Sequence, residues 1–102
     1  QQIVSLMCGD DVVCREAIST ELTALTSSLG ADGSKPLHDL LVDQVVIARC
    51  DQMYHQMAAI QPRDSKRDTT YFDKRLDRAE DRFNRAIEQL QKFNIREASA
   101  GE

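Results

Sequence analysis

From Phe72 to Phe93 the apolar residues fall at alternating steps of four and three: Phe72, Leu76, Ala79, Phe83, Ala86, Leu90 and Phe93. A strand turns its side chains to opposite faces every second residue, so it cannot gather this set on one side. An α-helix gathers all of it on one stripe. A stripe sustained for three heptads is a coiled-coil-like seam, and it needs another helix to cover it.

The partner helix is legible upstream. Pro36 stands in the first turn of a helix that opens at Ser34 or Lys35, where its missing N–H leaves nothing unpaired. That helix should run to about Ile60 and stop before Pro62. It carries two apolar stripes, one through Val46, Cys50, Met53, Met57 and Ile60, the other through Leu37, Leu41, Val45 and Ala48. Two apolar faces on one helix imply two neighbours, which makes it the central element. The other neighbour is an earlier helix with the stripe Cys14, Ile18, Leu22, Leu25 and Leu29. Asp10 or Asp11 is placed to cap it and Gly30 to end it. Residues 1–8, with Ile3, Val4, Leu6 and Met7, form a short apolar piece closed by Gly9.

Between the second and third helices, residues 61–69 are polar and read as a loop, with Thr69 or Thr70 capping the last helix. The expectation is an all-α, three-helix domain over residues 1–96, with helices at about 10–29, 35–60 and 70–95 and a frayed tail at 97–102. Its centre is an antiparallel hairpin of two helices, each about 25 residues and therefore about 38 Å long. Gly 4, Pro 2 and no Trp, in a chain of 102 residues, fit an aliphatic helical core and not a turn-rich β-sandwich.

Charge limits the functions that fit. Residues 1–60 carry eight acids and three bases, residues 61–102 ten bases and nine acids, for a net −4. A sequence pI near 5.1 argues against nucleic-acid binding as the main task. Cys8, Cys14 and Cys50 are an odd number without a CxxC spacing. They read as reduced thiols in a reducing compartment, so the expected location is cytoplasmic. No apolar run approaches the ~20 residues that span a bilayer, so no membrane association is expected. The opening Gln1-Gln2-Ile3 has neither an initiator Met nor a charged n-region and reads as the start of an excised fragment.

No residue set points to catalysis, metal or cofactor. Asp51 and His55 stand one helical turn apart, a spacing that can orient a general base. No Ser or Cys is placed to serve as its nucleophile, and the pair reads as polar surface on a long helix. His38 reads as a first-turn surface residue. Cys50 and His55 are not at a helical metal-ligand spacing, and Met53 and Met57 read as core filler. The chain is therefore expected not to be an enzyme.

Two interaction surfaces suggest themselves. Arg75, Arg78, Arg82 and Arg85 line one flank of the third helix, with Arg63, Lys66 and Arg67 in the preceding loop, as a phosphate-contacting ridge would. Over residues 71–93, however, six bases face five acids, and pairs such as Asp81–Arg85 and Glu88–Lys92 account for much of the charge locally. Apolar residues left without a partner supply the second surface: Ile3, Val4, Leu6, Met7, Ile87 and Ile95. A patch of this kind marks an interface, so a homo-oligomer, most simply a dimer, or a helical protein partner is expected. Heptad positions put Arg75 and Arg82 at g, Asp73 and Glu80 at e, so direct pairing of two third helices should be parallel.

The segments Leu40-Leu41-Val42-Asp43-Gln44-Val45-Val46-Ile47-Ala48 and Tyr71-Phe72-Asp73-Lys74-Arg75-Leu76-Asp77-Arg78-Ala79-Glu80-Asp81-Arg82-Phe83 resemble a loose group of bacterial mobile-element or prophage proteins. Some of that group are labelled as similar to small terminase subunits. The likeness covers about half the chain and its motif is structural, so it implies no site residue. Such proteins commonly carry a basic N-terminal segment with an Asn-Ala-Lys-His-Gly-like motif, which this sequence lacks. The expectation is a non-catalytic helical interaction or oligomerisation module, for which the resemblance implies a mobile-element or DNA-packaging assembly; the alternative is nucleic-acid association through the arginine ridge of the third helix.

Overall fold

The computed structural model describes residues 7–60 and 66–100. Within them the chain is all-α, with no strand: α1 is Val12–Ser28, α2 is Pro36–Ala59 and α3 is Lys66–Ala100. Local chemistry sets the junctions. The Asp11 side chain accepts the Cys14 N–H at 3.1 Å, which satisfies a free donor of the first turn of α1. Gly30, at φ +81°, follows the last residues of α1 in the left-handed conformation that a side chain would disfavour. The link to α2 turns on Asp32, whose Oδ1 accepts both the amide (2.9 Å) and the hydroxyl (2.5 Å) of Ser34. Pro36 then occupies the first turn of α2, as expected.

Helix α2 is the central element. Val42 and Val45 on α2 and Leu90 on α3 form one buried cluster, with Phe83, Ala86 and Ile87 of α3, Leu25 of α1 and Leu29 at its C-terminal cap packed around it. Ile18 and Leu22 of α1 form a second cluster with Cys50, flanked by Met7, Cys8, Cys14, Val46 and Met53. The α2–α3 hairpin is antiparallel. Lys35 meets Glu97, the His38 ring lies 5.9 Å from that of Phe93, and Asp51 meets Arg82, so each step up α2 matches a step down α3. Of the heptad seam, Ala79 and Leu90 are buried, while Phe72, Leu76, Phe83, Ala86 and Phe93 are half-buried.

Helix α3 is longer than its apolar seam. It begins at Lys66, not at residue 70, and the Thr70 hydroxyl donates to the Lys66 carbonyl at 2.9 Å, so Thr70 is an interior residue and not a cap. It also continues through Ala100 past the expected end, with Glu97 tied to Lys35. The reason is that helix formation asks only for acceptable propensity and satisfied backbone groups, and residues 66–69 and 96–100 contain neither Gly nor Pro. With about 52 Å of length against about 36 Å for α2, α3 projects roughly two turns, Lys66 to about Phe72, beyond the end of α2.

Three further expectations are corrected. Leu37 and Ile60, placed in apolar stripes of α2, are exposed, because α1 and α3 cover only the two sides of α2 that carry Val42, Val45 and Cys50. His38 is half-buried against Phe93, its ring drawn under the end of α3. Cys8 and Cys14 are not free thiols. They form a disulfide, their Cα atoms brought within 5.5 Å by the Gly9 turn between them. Cys50 is buried and takes no part in a disulfide. The inference of a reducing compartment from three free thiols loses its ground accordingly. Among the described residues no helix is long and apolar enough to cross a membrane.

Candidate interaction face

Helix α2 has a third side that neither neighbour covers. Leu37, Leu40, Ile47 and Tyr54 lie along it, and Gln44 and Asp51 fill the intervening positions, giving steps of three, four, three, four and three. Leu40 is 54% exposed, Ile47 60% and Tyr54 36%. A helix whose other two sides already supply the core has no internal use for this row.

One edge of the row adjoins α3. A shallow groove there is lined by Gln44, Ile47, Ala48, Asp51 and Arg82. Its chemistry centres on Asp51. Oδ2 accepts from Arg82 Nε at 3.1 Å and Nη2 at 2.5 Å, and Oδ1 lies 3.3 Å from His55 Nε2. His55 is only 6% exposed, contrary to its reading as surface, because α3 closes over that side of α2 and Asp51 gives the imidazole a polar neighbour. Next to Asp51 in the chain, the Cys50 thiol has its pKa pushed up, by burial first and by the Asp51 charge second, which keeps it protonated. On the far side of α2, Arg49 clamps α1 by donating Nε (3.1 Å) and Nη2 (2.8 Å) to Glu21, while its Nη1 donates to Gln52.

The arginine ridge is partly as the sequence predicts. Arg75, Arg78, Arg82 and Arg85 share one exposed flank of α3, the flank that faces the groove through Arg82. Arg82 is bound to Asp51, and Arg75 reaches Tyr71, with a 2.9 Å bond from Nη1 to the hydroxyl and the guanidinium 5.4 Å from the ring centre. Lys66 and Arg67 stand on the first turn of α3 and not in a loop, while Arg63 lies outside the described residues. The anticipated Asp81–Arg85 and Glu88–Lys92 pairs are absent from the ion pairs of the described residues.

The proposed apolar patch fares differently. Met7 packs on the cluster of Ile18, Leu22 and Cys50, and Ile87 on that of Val42, Val45 and Leu90, so both have partners inside the fold. Ile95 is exposed, and Ile3, Val4 and Leu6 lie outside the described residues. Sequence reading missed Leu40, Ile47 and Tyr54 as a free surface, although their seven-residue spacing is plain in the chain. It missed the joining of Asp51 to Arg82, 31 residues away. Among the described residues no group of His, Cys, Asp and Glu is arranged to hold a metal ion. No known family model matches the chain, and neither does any curated protein or solved structure compared with it.

Proposed function

We propose that the chain is a non-catalytic helical interaction module that presents the outer side of α2 to another protein. The observation that carries this reading is the row Leu37, Leu40, Ile47 and Tyr54, apolar and exposed although the core of the fold is already filled from the other two sides of α2. The likeness of residues 40–48 and 71–83 to mobile-element and prophage proteins extends the proposal to an assembly of that kind, such as DNA packaging. Of the patch Ile3, Val4, Leu6, Met7, Ile87 and Ile95 expected to join two copies, Met7 and Ile87 are used within the fold and Ile95 is exposed.

A second reading, association with nucleic acid, draws on the exposed flank of Arg75, Arg78 and Arg85. The acidic whole and the aliphatic row beside that flank favour a protein surface over a phosphate backbone.

Site-specific photo-cross-linking in the cells that produce the chain tests the proposal. A photoreactive residue at position 47 should give a covalent adduct with a polypeptide, and one at position 77, on the opposite flank of α3, should not. Adducts with nucleic acid alone, or equal yields at the two positions, would refute it.

A further inference from the structure

We infer that the outer side of α2 seats an acidic amphipathic helix, its apolar stripe on Leu40, Ile47 and Tyr54 and its carboxylates against the arginine flank of α3. This inference rests on the interaction-module reading above and adds the chemistry of the partner. Three features lead to it.

The first is periodicity. The row on α2 has the alternating three- and four-residue steps of a helix-packing seam, sustained from Leu37 to Tyr54 over about 26 Å. A surface with that repeat matches another helix better than it matches a strand or a loop, because only a helix presents side chains at the same rhythm along the same length.

The second is charge. The antiparallel register carries Arg78, Arg82 and Arg85 alongside the half of the row that contains Ile47 and Tyr54. The row itself offers these cations one carboxylate, Asp51, and that group is already engaged by Arg82 and His55. Arg78 and Arg85 are exposed and make no ion pair among the described residues, so both are open to acids carried by an occupant. Aliphatic side chains and a row of guanidinium groups side by side call for a partner that is apolar on one stripe and acidic on the next.

The third excludes the simplest alternative. A second copy docked antiparallel on the same row would be related by a two-fold axis that sets each edge against its own equivalent. The arginine flanks of the two α3 helices would then face each other, like charge on like. A parallel copy would bring the opposite edge of α2, where Asp43 is an exposed acid, against the whole arginine flank. Neither arrangement supplies enough negative charge. Nucleic acid supplies it but leaves Leu40 and Ile47 facing a phosphate backbone, with no apolar surface to cover them.

The test uses the full chain and two labelled peptides, each a helix of three heptads about 32 Å long with leucine at the seam positions. One carries glutamate and the other lysine at the flanking positions. Fluorescence anisotropy should show the glutamate peptide binding, more weakly as salt rises, and the lysine peptide not binding. Ile47→Asp should weaken the glutamate peptide by about tenfold or more. Arg85→Glu should weaken it as well and bring in the lysine peptide, a reversal that a merely sticky surface would not show. Both positions are exposed, and unchanged circular dichroism of the variants shows that the fold is kept. The inference is overturned if the lysine peptide binds as well as the glutamate peptide or if neither binds. It is overturned equally if a duplex DNA probe binds the flank in place of the peptides, or if light scattering shows a dimer that Ile47→Asp dissolves. Should neither peptide bind while position 47 still cross-links to a polypeptide in cells, the partner chemistry is wrong and the interaction module stands.

Discussion

Truncating Leu90 to alanine probes the contact on which the hairpin depends. Leu90 is 3% exposed and packs against Val42 and Val45, both fully buried. The change removes three carbons, about 2 kcal/mol of transfer free energy at roughly 0.8 kcal/mol each. A cavity term adds to this, because Val42 and Val45 are β-branched residues held in a helix and have little rotamer freedom to close the gap. The sum is about 3–4 kcal/mol, a large part of the ~5–15 kcal/mol expected for a domain of this size. Urea unfolding followed by circular dichroism reads it directly. With a slope of about 1–2 kcal/mol/M, the midpoint should fall by about 2 M and the slope should stay unchanged. Ile95→Ala is the control, on the same helix but 66% exposed, and should shift stability by no more than about 0.5 kcal/mol. If Leu90→Ala costs under about 1 kcal/mol, or the two variants melt together, α3 does not pack on α2 through this stripe.

Intact-mass measurement should show a gain of two hydrogens when the native protein is reduced, from Cys8–Cys14, and reduction should lower stability by about 2 kcal/mol for a loop this short; an unchanged mass would restore the free-thiol reading. Asp51→Ala should cost about 1–2 kcal/mol and Arg82→Ala distinctly less, because only the first strips the buried His55 of its polar neighbour, whereas the exposed Arg82 keeps solvent; equal losses in thermal melts would contradict this. The Asp32 carboxyl is held below its ordinary pKa, first by the Ser34 hydroxyl and then by the Ser34 amide, so the turn is fully stabilised above the unfolded value and loosens as pH falls through the folded one. Carboxyl NMR titration should show Ser34→Ala raising the Asp32 midpoint, and no change would mean that the hydroxyl bond does not form in solution. Cys50, its pKa raised by burial and by Asp51, should react with thiol reagents only as fast as the core opens, and labelling at the rate of a free thiol would place it outside the core.

What the sequence determined by itself is whatever neighbours in the chain decide. The heptad seam made α3 a helix and demanded a covering partner. The cap at Asp11, the left-handed Gly30 and the first-turn Pro36 marked three of the junctions, since each acts within four residues of its own position. The two stripes of α2 announced two neighbours, and α1 and α3 are those neighbours. The limits of α3 escaped the same reading, because apolar periodicity records where a helix is buried and not where it is helical, and residues 66–70 are helical and exposed.

Only the tertiary structure decided which side of α2 stays open. Apolar residues occur all round that helix, and pattern alone cannot say that two neighbours would settle on Val42, Val45 and Cys50 and leave Leu40, Ile47 and Tyr54 bare. The same holds for His55, a surface residue by local pattern, which becomes a core residue once α3 lies across it and Arg82 takes the second oxygen of Asp51. Cys8 and Cys14 bond because the Gly9 turn returns one Cα to within 5.5 Å of the other, a distance that spacing in the chain does not specify. In each case the deciding contact is set by how helices and turns pack in space, and pairing of that kind depends on distance and direction, which a one-dimensional pattern does not carry.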